Sequence, residues 1–582
     1  MKQIAGVSFL VLMIAPAVLA KPVLEYRVEG LERSLRKNVE AWLGPAPETD
    51  SARAGFMASV QQRVEQSLQA LGYFSPQIDL DLKQDRIPWK LAISVQAGEP
   101  VIISSLDVQI EGDAGSDEAF VAWRQNLPLK QGDILHQGHY ESLKRSLYSL
   151  AQQRGYFDGE FSQSRVAVEV QARSAQVKLY YDSGRRYHFG PVRDDGQHLY
   201  AERLLPLQPF REGDPFELSK LQEFQSQLQR TGYFSGAMLR PRLDEAKEGA
   251  VPLDMELFPA KHHSFEVGVG YSTDTRERVS LVWRTPLINR YGHSQETRIE
   301  WSAVNPSGRF TYNIPISHPL DDVLQLRARL EQNEFGDIDS DQTEAGLRRE
   351  IRRERWIYGY GVRYLSERWE LNGPTQENRY LLPGFSLSHK RRQGPLTNPD
   401  SGFSQYYEVE GGSDQAGSDI DLVRLYTKLA YVTTLLNEQH RFVGRLEAGA
   451  VFVSDADRNA LAPSLSFFAG GSQSLRGYGY QSIGREVDVL RSDGKVQSLT
   501  VGGDRLLVGS LEYQYQFKPD WRAALFVDAG DAFDDEHFDT KIGVGVGLHY
   551  LTPVGAIKLE VASDVSEDDP GWRVHINIGT EF

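Results

Sequence analysis

The C-terminal part of the chain divides into short segments in which apolar and polar side chains alternate. Between residues 262 and 582 these segments are about ten residues long, which is the length that a tilted β-strand needs to cross a bilayer. Turns such as Lys518-Pro519-Asp520 and longer polar loops separate them. We count sixteen segments, and bacterial transmembrane barrels have an even number of strands. The pattern therefore predicts a sixteen-stranded antiparallel transmembrane β-barrel over residues 262–582.

The alternation also distinguishes a membrane barrel from a soluble sandwich. In one segment Ile557, Leu559 and Val561 share a face, and Lys558 and Glu560 lie on the opposite face. A soluble sandwich would bury one of its faces in a packed apolar core. Charges that recur regularly on the second face instead indicate a wet lumen. We therefore place the apolar face against lipid.

Composition and charge exclude several classes of protein. The net charge of −16 lacks the basic surface that a nucleic-acid-binding protein needs. The absence of cysteine excludes disulfides, thiolate metal sites and a cysteine nucleophile. The conspicuous polar clusters, His262-His263 and Asp534-Asp535-Glu536-His537, are interpreted as a domain-junction turn and a solvated loop. Since no catalytic motif is present, we expect no enzymatic activity, no catalytic residue, no metal and no cofactor.

The first twenty residues have the pattern of a secretory signal peptide. Lys2 precedes an apolar run from Ile4 to Ala20, which ends in Val18-Leu19-Ala20 with small or apolar residues before the expected cleavage point. The run contains Pro16 and is shorter than the roughly 20 residues of a spanning helix. We predict a signal peptide over residues 1–20 and a mature chain outside the cytoplasm.

The region that follows contains one unit used three times. The motifs Gly72-Tyr73-Phe74, Gly155-Tyr156-Phe157 and Gly232-Tyr233-Phe234 recur about 80 residues apart, which indicates a repeated small domain. Each motif ends a stretch of helical periodicity, the first predicted over Val60–Leu71, because glycine supplies the left-handed position that stops a helix. Strand patterns precede and follow the helices. We predict α+β repeats of order βααββ over residues 21–100, 101–185 and 186–261.

One long loop of the predicted barrel has an unusual composition. Residues 454–505 contain no convincing strand and are far longer than an ordinary loop, which indicates a function. Glycines flank Arg476, and Gly477 and Tyr478 follow it. The simpler interpretation is a mobile extracellular loop.

Strand parity favours a loop that docks inside the barrel. Because Leu511 and Val527 are predicted to face lipid, the neighbouring Glu512 and Asp528 point into the lumen. The same argument places Gly543, Gly545 and Gly547 on the lumen face, where they leave a strip without side chains. An arginine can bind carboxylates in a bidentate manner. We therefore predict that Arg476 docks between Glu512 and Asp528.

These motifs resemble those of the outer-membrane insertase and translocase superfamily that includes BamA. Leu475-Arg476-Gly477-Tyr478 resembles its loop motif, with leucine in place of the usual valine. Phe526-Val527-Asp528-Ala529-Gly530 and Gly509-Ser510-Leu511-Glu512 resemble its paired strand motifs, which adds Gly530 to the candidate site. The repeats resemble its POTRA domains. Three POTRA domains before sixteen strands resemble the TamA family, the outer-membrane subunits of the translocation and assembly module.

The resemblance implies a function and partners. It implies a protein of the Gram-negative outer membrane, with POTRA domains in the periplasm, that inserts or secretes β-rich clients such as autotransporters without ATP. The barrel would open at a seam between the first strand, which contains Gly268 and Gly270, and the last strand, which contains Gly579 and the C-terminal Phe582. The implied partners are unfolded outer-membrane proteins, membrane lipid and an inner-membrane-anchored TamB-like protein that contacts residues 21–100. The C-terminal residues 578–582 match the family's assembly signal loosely.

The sequence is also compatible with a second function. The same barrel could serve as a transport pore or as a transporter of the two-partner secretion type. The three predicted POTRA domains and the loop predicted to fill the lumen favour the insertase.

Overall fold

The computed structural model describes residues 22–194, 201–370, 375–395, 398–435, 439–490, 496–534, 537–553, 555–566 and 570–579. The predicted signal peptide lies outside this range. Within it, no helix combines the length and the apolar character required to cross a bilayer. Internal packing divides the chain into two compact units, with residues of the third repeat in both. The predicted boundaries of the repeats stay predictions.

Each N-terminal repeat has the predicted βααββ order. The third strand of each repeat lies at the centre of a three-stranded sheet, with the first and second strands at its edges. In the first two repeats the first strand runs parallel to the third and the second strand antiparallel to it. The elements are β1 (Leu24–Glu29), α1 (Arg33–Leu43), α2 (Asp50–Gln69), β2 (Gln77–Lys83) and β3 (Trp89–Gln96); β4 (Ile102–Glu111), α3 (Glu118–Gln125), α4 (Gln137–Gln153), β5 (Glu160–Glu169) and β6 (Ser174–Asp182); and β7 (His188–Asp194), α5 (Ala201–Leu204), α6 (Leu218–Arg230), β8 (Phe234–Pro241) and β9 (Ala250–Pro259).

The helices of the first repeat form because capping and apolar periodicity agree. Thr49 caps α2 by accepting a hydrogen bond from the Ala52 backbone N–H at 3.2 Å. This cap explains why α2 begins well before the predicted start at Val60. Val60, Val64 and Leu68 are buried along one face of the helix and pack on the sheet.

The Gly-Tyr-Phe motifs end helices, as expected, and they also join successive repeats. Gly72 has φ +94°, and its carbonyl oxygen accepts a hydrogen bond from the Val101 N–H at the start of the second repeat. The Gly155 carbonyl oxygen accepts the equivalent bond from Tyr187. A Cβ on Gly155 would lie 2.7 Å from Phe216 Cβ, so only glycine permits this close approach. The first two motifs therefore connect successive repeats as well as ending a helix.

The C-terminal part is a closed barrel of sixteen strands. Successive barrel strands pair antiparallel, and the first and last strands, which close the barrel, are antiparallel as well. This confirms the predicted fold class. The barrel strands are β10 (Ser264–Ser272), β11 (Arg276–Thr285), β12 (Ser294–Ser302), β13 (Ser307–His318), β14 (Asp322–Phe335), β15 (Ile338–Arg353), β16 (Trp356–Glu370), β17 (Gln376–Gln393), β18 (Ser401–Gly412), β19 (Leu422–Leu435), β20 (His440–Val453), β23 (Arg505–Lys518), β24 (Trp521–Phe533), β25 (Lys541–Thr552), β26 (Gly555–Asp564) and β27 (Trp572–Gly579).

The long loop carries a hairpin that the sequence analysis missed. Strands β21 (Arg485–Leu490) and β22 (Val496–Val501) pair antiparallel, so the expectation of a loop without strands is wrong. Each strand has six residues, too few to register as a barrel strand. Six residues are nevertheless enough for two strands to pair with each other, because a hairpin outside the barrel wall does not have to span the bilayer.

The barrel closes through a sparse seam. Strands β26 and β27 pair continuously from Ile557 opposite Ile578 to Ser563 opposite Trp572. Within the described residues, β10 and β27 have one register pair, Ser272 opposite Asn577. Among the described residues, the seam is thus the place where neighbouring barrel strands have the fewest register pairs.

Candidate functional site

The loop between β20 and β23 folds into the barrel and forms part of its packed interior. It contributes Phe467, Ala469, Leu475 and Ile483 to a buried apolar cluster. Inward-facing barrel residues such as Leu382 complete that cluster. A mobile extracellular loop would leave these side chains in water, so the simpler interpretation does not describe this structure.

Arg476 lies in this loop, and its side chain is 1% exposed. Its Nε donates to Asp528 Oδ2 at 2.7 Å, and its Nη2 donates to Asp528 Oδ1 at 2.9 Å. Nη1 reaches Glu512 Oε2 at 2.7 Å. The structure therefore brings Arg476 together with both predicted carboxylates.

Three further residues complete the arginine site and were missed as members of it. Arg476 Nη1 donates to Glu560 Oε1 at 3.1 Å, and Nη2 donates to Ser510 Oγ at 3.2 Å. The guanidinium carbon lies over the Phe526 ring, 3.4 Å from its centroid, and forms a cation–π contact with it. Alternation already placed Glu560 on the inner face, but only the barrel curvature shows that β26 comes within reach of the loop.

The site contains one arginine and three carboxylates, so other donors must stabilise the excess negative charge. Gln514 Nε2 donates to Glu512 Oε1 at 2.6 Å. His549 Nε2 lies 3.0 Å from Glu560 Oε1. Ligand atoms of Glu512, His549 and Glu560 all lie within 4.8 Å of one another, a spacing compatible with a metal ion. Because Arg476 Nη1 binds both of these glutamates and supplies a cation, we assign no metal to the cluster.

The predicted glycine strip lets the loop backbone approach the barrel wall. A Cβ on Gly543 would overlap the Arg476 carbonyl oxygen. A Cβ on Gly545 would overlap the Phe526 ring, and one on Gly547 would lie 3.0 Å from His549 Nε2. The strip therefore accommodates both the loop and the aromatic ring beneath the guanidinium.

The neighbouring motif residues hold the loop against the last strands. Gly477 has φ +99°, and a Cβ there would lie 2.9 Å from the Ser563 carbonyl carbon of β26. The Tyr478 hydroxyl lies 2.6 Å from Ser566 Oγ. Gly530 has φ +156° and faces the Leu507 backbone of β23, where a side chain would collide.

The predicted seam residues are only partly brought together. Gly268 and Gly270 pair with Ser280 and Arg278 of β11. Within the described residues neither pairs with β27. Gly579 ends β27, and Phe582 lies outside the described residues.

The fold and the docked loop define a class of outer-membrane β-barrel that follows POTRA-type repeats. Residues 261–582 match the family model described as the Omp85 superfamily domain. Residues 25–97 match the model described as POTRA domain TamA domain 1. The chain belongs to the Omp85 superfamily. It therefore lies in the Gram-negative outer membrane with its POTRA domains in the periplasm, as predicted.

Two relatives bear on this assignment. The outer membrane protein assembly factor BamA of Nitratidesulfovibrio vulgaris is 25% identical over 381 residues, which cover 62% of this chain and 46% of that protein. The chain thus spans about half the length of that relative. The crystal structure of BamA from Haemophilus ducreyi lacking POTRA domains 1–3 matches with a TM-score of 0.70 and 15% identity, covering 82% of this chain and 99% of that one. This second likeness concerns the fold.

Proposed function

We propose that the protein inserts or translocates β-rich outer-membrane proteins, autotransporters in particular, through the seam between β10 and β27. The sparse pairing of these strands carries the proposal. Beyond the pair of Ser272 and Asn577, the described seam has one backbone bond, from the Thr273 N–H to the Ile576 carbonyl oxygen at 3.1 Å.

An unpaired strand edge suits this task physically. The segment of β10 from Ser264 to Tyr271 has no register partner on the described part of β27. Its backbone N–H and C=O groups can pair with an incoming strand whatever the side chains of that strand. Each new backbone bond forms as client and barrel meet, so insertion can proceed without ATP.

We further propose that the protein acts as a TamA-type subunit with a TamB-like partner at the first repeat. The match of residues 25–97 to a TamA POTRA model supports this assignment. The three βααββ repeats of the described residues agree with the three POTRA domains on which the resemblance rests. Affinity capture from detergent-solubilised membranes tests it. Recovery of a large periplasm-spanning protein supports the TamA assignment, and recovery with outer-membrane lipoproteins alone contradicts it.

A disulfide across the seam tests the proposed opening. Cysteines at Ser272 and Asn577, which face each other, should block insertion of an autotransporter barrel into proteoliposomes when oxidised and permit it when reduced. The chain has no native cysteine to interfere. A matched control is the pair Leu559 and Ile576, which face each other in the continuous β26–β27 ladder. Full insertion with the seam disulfide intact would overturn the proposal.

A transport pore is the second candidate, because the lumen contains a polar cavity of about 750 Å³. Charged residues such as Arg309, Arg327, Glu344 and Glu410 line it. Single-channel recording separates the two functions. A large conductance that is unchanged by deletion of residues 465–480 would favour the pore, whereas a conductance that appears only after the deletion would favour an insertase closed by its loop.

A further inference from the structure

The long loop also contacts both sides of the seam. Its tip, residues 471–477, lies between the turn that follows β10 and the inner face of β27. We call this segment the clasp. Its contacts cross the seam, where the described parts of β10 and β27 have one register pair.

On the first-strand side the clasp binds Asp274, in the turn between β10 and β11. Oδ2 of Asp274 accepts hydrogen bonds from the Ser472 N–H at 2.8 Å and from the Ser472 hydroxyl at 2.6 Å. Gly471, with φ +99°, makes this approach possible because a Cβ there would lie 3.0 Å from the same oxygen. Two donors on one carboxylate oxygen form a strong, charge-assisted contact.

On the last-strand side the clasp binds His575, which is 4% exposed on the inner face of β27. Its Nε2 accepts a hydrogen bond from the Gly477 N–H at 3.3 Å. With Nε2 as the acceptor, Nδ1 is the ring nitrogen that is available to donate. Nδ1 lies 3.8 Å from Asp274 Oδ1 and has no hydrogen-bond partner among the described residues. Asp274 and His575 thus face each other across the seam, and each also binds the clasp.

The arginine site anchors the clasp. Arg476 lies between the two contact points and is bound by carboxylates of β23, β24 and β26. The clasp is therefore fixed to the C-terminal strands, and its bonds to Asp274 extend this attachment to the first hairpin.

We propose that the clasp holds the seam closed, with Asp274 and His575 as positioning residues whose contacts must break before β10 and β27 separate. This inference rests on the proposed opening of the seam. An incoming client strand then competes with the clasp contacts as well as with the few backbone bonds of the seam.

Deuterium exchange of the full-length protein in lipid nanodiscs tests the clasp. The Thr273 and Ile576 amides bond across the seam, so their exchange reports its opening. In the Asp274→Ala and His575→Ala variants we expect these amides to exchange about tenfold faster than in the wild type. Each variant loses hydrogen bonds between the clasp and either a charged carboxylate or a buried ring, so the seam should open more often. Asp274→Asn keeps an acceptor oxygen for Ser472, so its seam amides should exchange at a rate closer to that of the wild type.

Asp337 provides a matched control. It lies in the turn between β14 and β15, and its Oδ2 accepts a hydrogen bond from the Thr500 N–H of the same loop at 2.8 Å. Asp337→Ala thus removes a turn-to-loop contact away from the seam, and seam exchange should stay at the wild-type rate. Peptides of β19 and β20 report the stability of the whole barrel.

Two outcomes would overturn the inference. Seam exchange at the wild-type rate in both alanine variants would mean that the clasp does not hold the seam. Faster exchange throughout the barrel, including β19 and β20, would mean that these contacts serve general stability. Neither outcome depends on a client, so the clasp can fail while the disulfide test of the proposed function succeeds.

Discussion

Arg476 and Asp528 are joined by three hydrogen bonds. The backbone N–H and the Nε of Arg476 both donate to Oδ2, at 3.0 and 2.7 Å, and Nη2 donates to Oδ1 at 2.9 Å. One aspartate thus fixes the main chain and the side chain of the loop tip at once. This pair therefore anchors the tip of the loop to β24 inside the barrel.

Replacing Arg476 with alanine should release the loop. Removing one partner of a buried ionic set typically costs about 3–5 kcal/mol of folding free energy, because the remaining carboxylates lose their cation. Arg476→Lys should restore only part of the loss, because lysine lacks the planar fork. Protease cleavage within residues 465–480 in intact cells, together with barrel unfolding in urea, measures both effects.

The control for this prediction is Asp455→Ala, at a loop side chain that is 95% exposed. Such a substitution should change stability by less than about 0.5 kcal/mol. A wild-type loop that is cut as readily as the Arg476→Ala loop would contradict docking.

Adding a single methyl group at Gly543 should displace the loop without removing any charge. The new Cβ would overlap the Arg476 carbonyl oxygen, and overpacking of this kind costs about 1–3 kcal/mol. Gly543→Ala should therefore increase protease access to residues 465–480. Gly308→Ala is the matched control, because a Cβ at that barrel glycine meets no atom within 4 Å. Equal protease access in the two variants would contradict the close approach.

The repeats should fold without the barrel. Separate buried clusters lie in the first two repeats, one including Val60 and Ile93 and the other including Leu147 and Val177. A fragment of residues 21–261 should be soluble, give a circular dichroism spectrum of mixed helix and strand, and melt cooperatively. An insoluble or unfolded fragment would contradict the interpretation of the repeats as domains.

Asp117 should give the second repeat a specific dependence on pH. It is buried at the start of α3, accepts a hydrogen bond from the Ala119 N–H at 2.9 Å and binds Arg154 through both carboxylate oxygens. The Tyr156 hydroxyl donates to it at 3.1 Å. Burial alone would raise the pKa of Asp117, but these hydrogen bonds lower it below the usual 3.8. Burial, with the nearby Asp117 charge, raises the pKa of Tyr156 to about 12.

The sign of the Asp117 effect follows from its lowered pKa. The stabilisation is fully present above the ordinary carboxyl pKa of 3.8 and is lost as the pH falls through the lower folded value. Asp117→Asn should lower the stability of the 21–261 fragment by about 1–3 kcal/mol at pH 7 and reduce its loss of stability in acid. Urea unfolding between pH 7 and pH 2 measures this. An acid profile parallel to that of the wild type would contradict the assignment.

Parity made the carboxylates of the arginine site predictable, because each lies beside a lipid-facing residue such as Leu511 or Val527. The contact between Glu560 and Arg476 was not predictable, since it depends on how far the barrel wall curves toward the loop. Asp274 and His575 were missed for a similar reason. They lie about 300 residues apart in sequence, and only closure of the barrel brings them together, a long-range contact that local patterns do not encode.

The carboxylates that bind Arg476 all follow it in the chain, at residues 512, 528 and 560. The arginine therefore has no binding site until the strands synthesised after it have joined the sheet. His575 extends this dependence almost to the C-terminus. The loop can therefore complete its docking only after the last strands have joined the sheet, and its contact with Asp274 then connects those strands to the first hairpin.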